Sequence, residues 1–245
     1  MGIFGKKYPT QLESRVGYKF KNRKLFLKAL THRSWISEDE TAIREDSNER
    51  LEFLGDAVLE LVVAEHLFKL FPGRPEGELT EFRRILVNGD ILAMKARELS
   101  LGDEIILSPG EEESGGRDKD SILSDAYEAL IGAIYLDGRL KAARNFIEGY
   151  HLRDMHEQIN SERHINYKGK LLEFLQARGS RPNYTTIGTT GPDHEKFFKI
   201  AVKIENKEIG RGSGTSKKSA EQAASKDALL FLESRRLENN DSTEE

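Results

Sequence analysis

Six carboxylates in two short stretches define the chemistry open to this sequence. Glu49, Glu52, Asp56 and Glu60 lie within twelve residues. At about 100° per residue of helix they occupy one sector roughly 80° wide. Asp125 and Glu128 are three apart, hence neighbours on a helical face. Four like charges in one sector repel unless water or a cation neutralises them, so the first stretch reads either as a solvated acidic face or as half of a cation site.

The second stretch narrows the choice. From Ile122 to Leu136 only Ser124, Asp125 and Glu128 are strongly polar, and a helix apolar nearly all round is normally buried. Burying two ionised carboxylates without compensation costs several kcal/mol each. Two compensations are open: a network of cationic side chains, for which Arg50, Arg83 and Arg84 are candidates, or a divalent ion. If the two helices meet, Glu52, Asp56, Asp125 and Glu128 form an oxygen-only cage. Carboxylates without His or Cys select hard cations, Mg²⁺ with Mn²⁺ as a substitute. Such an ion suits phosphodiester hydrolysis. Gly132 continues the acidic face and leaves room for another helix or a ligand.

The elements that must position these acids are helices. Apolar segments begin at Leu25, Leu27, Ala29 and Leu30, and periodic runs follow at 48–71, 78–100 and 121–137. Leu51, Leu54, Val58 and Val62 share one stripe that should face the core. Breakers separate the runs, at Phe71-Pro72-Gly73-Arg74-Pro75, Ser108-Pro109-Gly110 and Ser114-Gly115-Gly116. The first part therefore reads as all-α. Residues 35–47 form a polar, acidic loop, and 108–120 a flexible charged one whose Glu111-Glu112-Glu113 run is solvated. His32 is a candidate proton shuttle, with a structural hydrogen bond as the plainer reading.

After a polar stretch at 154–166 the pattern changes. Residues 167–177 look helical. Residues 196–204 alternate, with Phe198, Ile200, Val202 and Ile204 on one face, and Glu205-Asn206-Lys207-Glu208 suggests a hairpin turn. A last helix places Ala220, Ala223, Ala224, Ala228, Phe231 and Leu232 on one side. The order α-β-β-β-α makes an α+β module of about 70 residues. Charge divides the same way. Residues 1–160 carry 23 Lys and Arg against 29 Asp and Glu, while 161–233 carry 13 against 9, so the second part is the one suited to a polyanion. Ser216 can cap the last helix, with Lys217 and Lys218 in its first turn. Lysines there oppose the dipole, an arrangement that makes sense if both face phosphate.

With 245 residues, 37% hydrophobic and 33% charged, the chain has the composition of a folded protein with a heavily charged surface. It has no cysteine, which excludes disulfides and thiolate–metal sites. No apolar run is long enough for a membrane span, and Met1 to Thr10 lacks the apolar stretch of a secretory signal. No membrane partner and a cytoplasmic location are expected.

The string N-E-R-L-E-F-L-G-D-A-V-L from Asn48 to Leu59 closely resembles the signature of ribonuclease III. The similarity extends through Leu30-Thr31-His32-Arg33-Ser34, Pro75-Glu76-Gly77-Glu78-Leu79 and Asp125-Ala126-Tyr127-Glu128-Ala129-Leu130-Ile131-Gly132. It implies a divalent-metal-dependent endonuclease of double-stranded RNA that leaves 5′-phosphate and 3′-hydroxyl ends with short 3′ overhangs. Processing of ribosomal RNA precursors and other transcripts is the role it implies. By the same resemblance Glu52, Asp56, Asp125 and Glu128 bind metal, Asp56 and Glu128 are catalytic, and Glu49 and Glu76 are cleft acids of less direct role. Phe53, whose helical angle sets it beside the acids, is implied to plug a socket on a second subunit of a homodimer. No small-molecule cofactor is implied.

Residues 210–224 resemble the hallmark of the double-stranded-RNA-binding domain. By that likeness Glu173 and His194 meet successive minor grooves, and Ser216, Lys217 and Lys218 belong to the contact with the phosphates between. Leu172 departs from the pattern, standing where relatives often carry a polar residue. The expected organisation is a catalytic domain at 1–156, a linker at 157–165, the RNA-binding domain at 166–234 and a disordered tail at 235–245. Two competing functions remain at this stage. A protein that binds duplex RNA without cutting it conflicts with the intact carboxylate set. A DNA nuclease conflicts with a module that reads 2′-hydroxyls.

Overall fold

The computed structural model describes residues 10–38, 47–161, 166–192 and 196–241. The chain divides into two compact units, Met1–His164 and Ile165–Glu245. In the first, α1 (Thr10–Val16), α2 (Arg23–Ala29) and α3 (Arg33–Glu38) precede the long α4 (Glu49–Leu70). Then come α5 (Glu76–Leu86), α6 (Gly89–Glu98), the short α7 (Pro109–Glu113), α8 (Asp120–Phe146) and α9 (Met155–Asn160).

Helix α8 is the hub. Thirteen of its residues are buried, as its nearly unbroken apolar sequence demands. α4 crosses it at very short range. A Cβ on Gly55 would sit 1.8 Å from the Glu128 carbonyl oxygen, and one on Gly132 would sit 2.2 Å from that of Leu51. Only paired glycines permit backbones this close. Leu51, Val58 and Val62 of the expected stripe are buried, and Leu54 packs partly buried against the same core. Arg139, with φ 64°, interrupts α8 one residue after Gly138. Just before the break, Asp137 accepts hydrogen bonds from Tyr18 Oη (2.7 Å) and from the backbone N–H groups of Lys21 and Asn22 (2.9 Å each).

Several sequence expectations change here. The run at 78–100 is two helices, because Asn88 leaves helical geometry and its side chain accepts from Ile91 N at 2.9 Å, opening α6. The segment at 108–120 is not a free loop. Ser108 caps α7, a 3₁₀ turn follows at Gly116–Asp118, and Arg117 Nη1 ties the segment to the carbonyls of Gly102 (2.8 Å) and Ile105 (3.0 Å). Within the acidic run Glu111 pairs with Lys119 and Glu112 with Arg117, so these two are ion-paired rather than merely solvated. The polar stretch after 154 begins as helix. Met155 and Ile159, one turn apart, are buried in the first unit's core, and Gln158 beside them is buried too. Of the acidic loop expected at 35–47, the start belongs to α3 and 39–46 lie outside the described residues.

The second unit runs α10 (Tyr167–Gln176), β1 (Asn183–Thr190), β2 (Phe197–Ile204), β3 (Lys207–Gly214) and α11 (Lys217–Asp241). The strands form one antiparallel sheet in the order β1-β2-β3. Ile200 and Val202 of the alternating strand meet Leu171 and Leu175 of α10 and Ala220, Ala224 and Ala228 of α11. Glu205 and Asn206 both have positive φ, the geometry of a tight two-residue hairpin. α11 continues to Asp241, past Arg235 where an unstructured tail was expected. The first four added residues, Arg235-Arg236-Leu237-Glu238, are good helix formers, and no Gly or Pro interrupts the run to Asp241.

Candidate active site and nucleic-acid interface

The close α4–α8 crossing brings carboxylates together. One oxygen each from Glu52, Asp125 and Glu128 falls in a group whose members all lie within 4.8 Å of one another. All three side chains are half-buried. Asp56, one turn beyond Glu52, is exposed and outside that trio. Its field nevertheless acts on Glu128 more than that of any other acid. The consequence is electrostatic. Burial first, then the charges of Asp56, Glu52 and Asp125, push Glu128 up to about 8. Burial and Asp125 raise Glu52, and burial raises Asp125.

A cationic network does not explain the cluster. Among the described residues no ion pair reaches Glu52, Asp56, Asp125 or Glu128. Arg84 is engaged by Glu81 at 2.7 Å, and Arg33 stands on the rim, 3.7 Å from Glu49. Acids raised by burial, and at Glu52 and Glu128 also by their neighbours' charge, with oxygen donors only, are a donor set that a hard divalent ion fits.

Glu52 and Asp125 open on a cleft of about 870 Å³ whose lining also includes Glu49, Glu111, Arg33 and Lys119. Glu76 is not drawn into the trio. It starts α5, is exposed, and accepts from Thr80 Oγ1 at 2.6 Å. His32 is buried. Its Nδ1 accepts from Ser34 N at 3.2 Å and meets Ser34 Oγ at 2.9 Å, and that hydroxyl in turn accepts from Ser108 N at 3.1 Å. These contacts favour the structural reading of His32 over the shuttle.

Phe53 is 80% exposed, an unusual state for a phenyl ring on a well-packed helix. Leu61 and Phe68, also exposed, lie within about 80° of it on α4. Sequence reasoning singled out only Phe53. The signal for the others was present in their angular spacing, but exposure cannot be told from burial until the opposite face is known to hold the core.

In the second unit Ser216 and Ser219 cap α11 reciprocally. Ser219 N donates to Ser216 Oγ (3.1 Å) and Ser216 N donates to Ser219 Oγ (3.0 Å), satisfying two N–H groups at the helix entry. Lys217 and Lys218 are exposed on the first turn, with dipole and charge both aimed at solvent. Glu173 is exposed on α10, and Leu172 beside it is 37% exposed. His194 lies outside the described residues.

A helical unit with a convergent cluster of carboxylates, continued by an α-β-β-β-α unit with a basic helix entry, defines a two-domain nuclease of the kind that acts on structured RNA. Residues 22–155 match the family model described as ribonuclease-III-like, and residues 167–232 match that of the double-stranded RNA binding motif. The chain is 46% identical over 225 residues to ribonuclease 3 of Desulforamulus reducens, covering 91% of each. It is 44% identical to that of Syntrophotalea carbinolica, covering 91% of this chain and 96% of the relative. The nuclease domain of ribonuclease III from Campylobacter jejuni, described for structural flexibility in a region involved in dimer formation, superposes with a TM-score of 0.55. That match is at 44% identity and covers 59% of this chain and 96% of that one. The chain belongs to the ribonuclease III family. Among the described residues no helix is long and apolar enough to cross a membrane.

Proposed function

We propose that this protein cuts both strands of duplex RNA by metal-dependent phosphodiester hydrolysis at the α4–α8 crossing, acting as a homodimer. The observation that carries the reading is the convergence of Glu52, Asp125 and Glu128, with no ion pair to any of them among the described residues. Glu52, Asp125 and Glu128 hold the ion, with Asp56 completing the set from the next turn of α4. Mg²⁺ is the best match to an oxygen-only donor set, and Mn²⁺ should substitute. When bound, the ion supplies Lewis-acid polarisation of the phosphoryl oxygen and a water acidified enough to attack.

The residues of the chain do the rest. The Glu128 carboxyl, held up to about 8 by burial and its acidic neighbours, keeps a proton near neutrality without metal, and a bound ion would favour its ionised form. Arg33 and Lys119, paired with Glu49 and Glu111, bring positive charge into the same cleft, where it can offset the acids toward a phosphodiester. Glu49, tied to Arg33, sets the rim. In the second unit the capped entry of α11, with Lys217 and Lys218, meets the phosphates, and Glu173 the minor groove. Shape-based binding of this type spans about 16 bp with little base preference.

Two-fold symmetry is the simple route to cutting two antiparallel strands. The exposed Phe53, Leu61 and Phe68 on α4 supply an apolar surface for that contact. Processing of ribosomal RNA precursors and other transcripts fits this activity, and such substrates set its work in the cytoplasm.

The test is incubation of a long RNA duplex with the full chain, with and without Mg²⁺, beside Glu128→Gln. Cleavage with metal only, lost in the variant while binding persists, is the expected result. A full-length duplex under every condition would leave a protein that grips RNA without cutting it.

A further inference from the structure

The nuclease unit carries a second cleft, of about 550 Å³, between residues 15–21 and the far end of α8. Every charged side chain lining it is cationic: Arg15, Lys19, Lys21 and Lys141. That is unexpected in a segment, 1–160, where acids outnumber bases 29 to 23. The flanking sequence concentrates the charge further, since residues 15–28 hold six Lys and Arg and no Asp or Glu.

Two acids stand close to this turn, and both are occupied by backbone amides. Asp137 accepts from Lys21 N and Asn22 N, and Glu13 Oε1 accepts from Phe20 N at 2.5 Å. Their carboxylates hold the turn at residues 18–22 through these amides, and among the described residues no ion pair forms between Asp137 and a lysine ammonium group, although the Lys21 charge acts on Asp137. Lys19, Lys21 and Lys141 are exposed and make no ion pair among the described residues. Arg15 reaches Glu104 through Nη2 at 3.2 Å, but its Nε is buried without an acceptor. Cations gathered around a concavity with few counter-ions repel one another, and an anionic ligand relieves that repulsion.

We propose that this cleft docks the sugar–phosphate backbone of the duplex substrate at phosphates remote from the one being cut. The inference rests on the duplex-RNA reading above. A polyanion suits the site because its cations come from two elements, the turn at 15–21 and helix α8, and so present charge along the length of the cleft lining. Distance also fits. Gly138, in the cleft lining, is ten residues past Glu128 on the same helix, about 15 Å along its axis. A duplex long enough for one RNA-binding module, about 16 bp, easily exceeds that span.

The experiment compares the full chain with its Lys19→Gln/Lys21→Gln/Lys141→Gln variant in metal-free binding to a 24-bp RNA duplex across a salt series. Each lost phosphate contact should lower the slope of log affinity against log salt by about 0.9, so the triple variant should lose about 2 to 3. In cleavage assays with Mg²⁺ the loss should fall on KM, roughly ten-fold, and not on kcat. If the triple variant does not fold, Lys141→Gln alone should still lower the slope by about 0.9. A control neutralises Lys69 and Arg74, already paired with Glu65 and Glu78. An unchanged slope in a folded variant, or an equal change in the control, overturns the proposal. A wild-type chain that binds duplex but does not cut it would instead sink the nuclease reading, and the slopes would still decide this one.

Discussion

Replacing Glu128 by Gln should abolish cleavage and, in the absence of metal, make the protein more stable. In the native site burial and the charges of Asp56, Glu52 and Asp125 move this carboxyl from the ordinary 4.5 to about 8. At about 1.4 kcal/mol per pH unit, a fully sheltered group would carry roughly 5 kcal/mol. Glu128 is only half-buried, and solvent screening reduces this to about 2 kcal/mol. The sign follows from proton counting. Below pH 4.5 the carboxyl is protonated in both states and contributes nothing. Between 4.5 and 8 the unfolded chain releases the proton while the native site retains it, so native stability falls as pH rises. Above 8 the penalty is complete and constant. Glutamine keeps the shape without the charge, so the variant should match the wild type near pH 4.5 and exceed it by about 2 kcal/mol at pH 9. For a domain of this size that is about 4–8 °C in Tm.

Urea or thermal melts in EDTA at pH 5, 7 and 9 measure the difference. Added Mg²⁺ should then stabilise the wild type by mass action and the variant much less, narrowing or reversing the order. A variant that is less stable than the wild type at pH 9 without metal, or a gap that does not grow with pH, would refute the argument that mutual repulsion strains this cluster.

Three further outcomes are expected. Gly55→Ala sets a methyl group against the Glu128 carbonyl at 1.8 Å and should destabilise the nuclease unit by about 3 kcal/mol, read by chemical denaturation, with metal affinity lost in parallel. Phe53→Ala should weaken self-association by about 2 kcal/mol, some thirty-fold in Kd by sedimentation, without lowering monomer stability. His151→Phe leaves the buried Tyr127 hydroxyl and the Leu86 carbonyl unsatisfied and should cost about 2–4 kcal/mol. Burial holds His151 down to about 4, so the wild type should lose stability as pH falls from 6.5 toward 4, where the unfolded imidazole takes up a proton and the native one does not. That acid limb should shrink in the variant.

What the sequence made legible follows from range. The acids of 49–60 and 125–128 could be grouped because helical spacing alone fixes their common face, and the burial of α8 could be read from its apolar circumference. The alternation at Phe198, Ile200 and Val202 disclosed the strand for the same reason: the signal and the structure have the same period. Features set by partners far along the chain were less visible. Gly132 suggested close approach, but nothing local identified Gly55 as its counterpart across the crossing. Arg117 looked like one charge in a free loop until its target carbonyls at Gly102 and Ile105 came within reach. Met155 and Ile159 are two apolar residues in a polar stretch, too few to signal a helix, yet enough to anchor one when a core is waiting.

The same distinction explains why the site is built as it is. A cluster of carboxylates cannot be stabilised by its own members, since each added acid raises the others, as Asp56 and Glu52 do to Glu128. Its geometry must be imposed from outside. Here the α4–α8 contact does so with two glycines that let backbone meet backbone, and thirteen buried positions on α8 supply the packing that offsets the repulsion. Between Ile122 and Leu136 helix α8 is apolar nearly everywhere except at Ser124, Asp125 and Glu128. Under the proposed function the repulsion left over has a use, because a site that is strained when empty would gain most from a divalent ion. The cost in stability and the affinity for metal are therefore two readings of one electrostatic quantity.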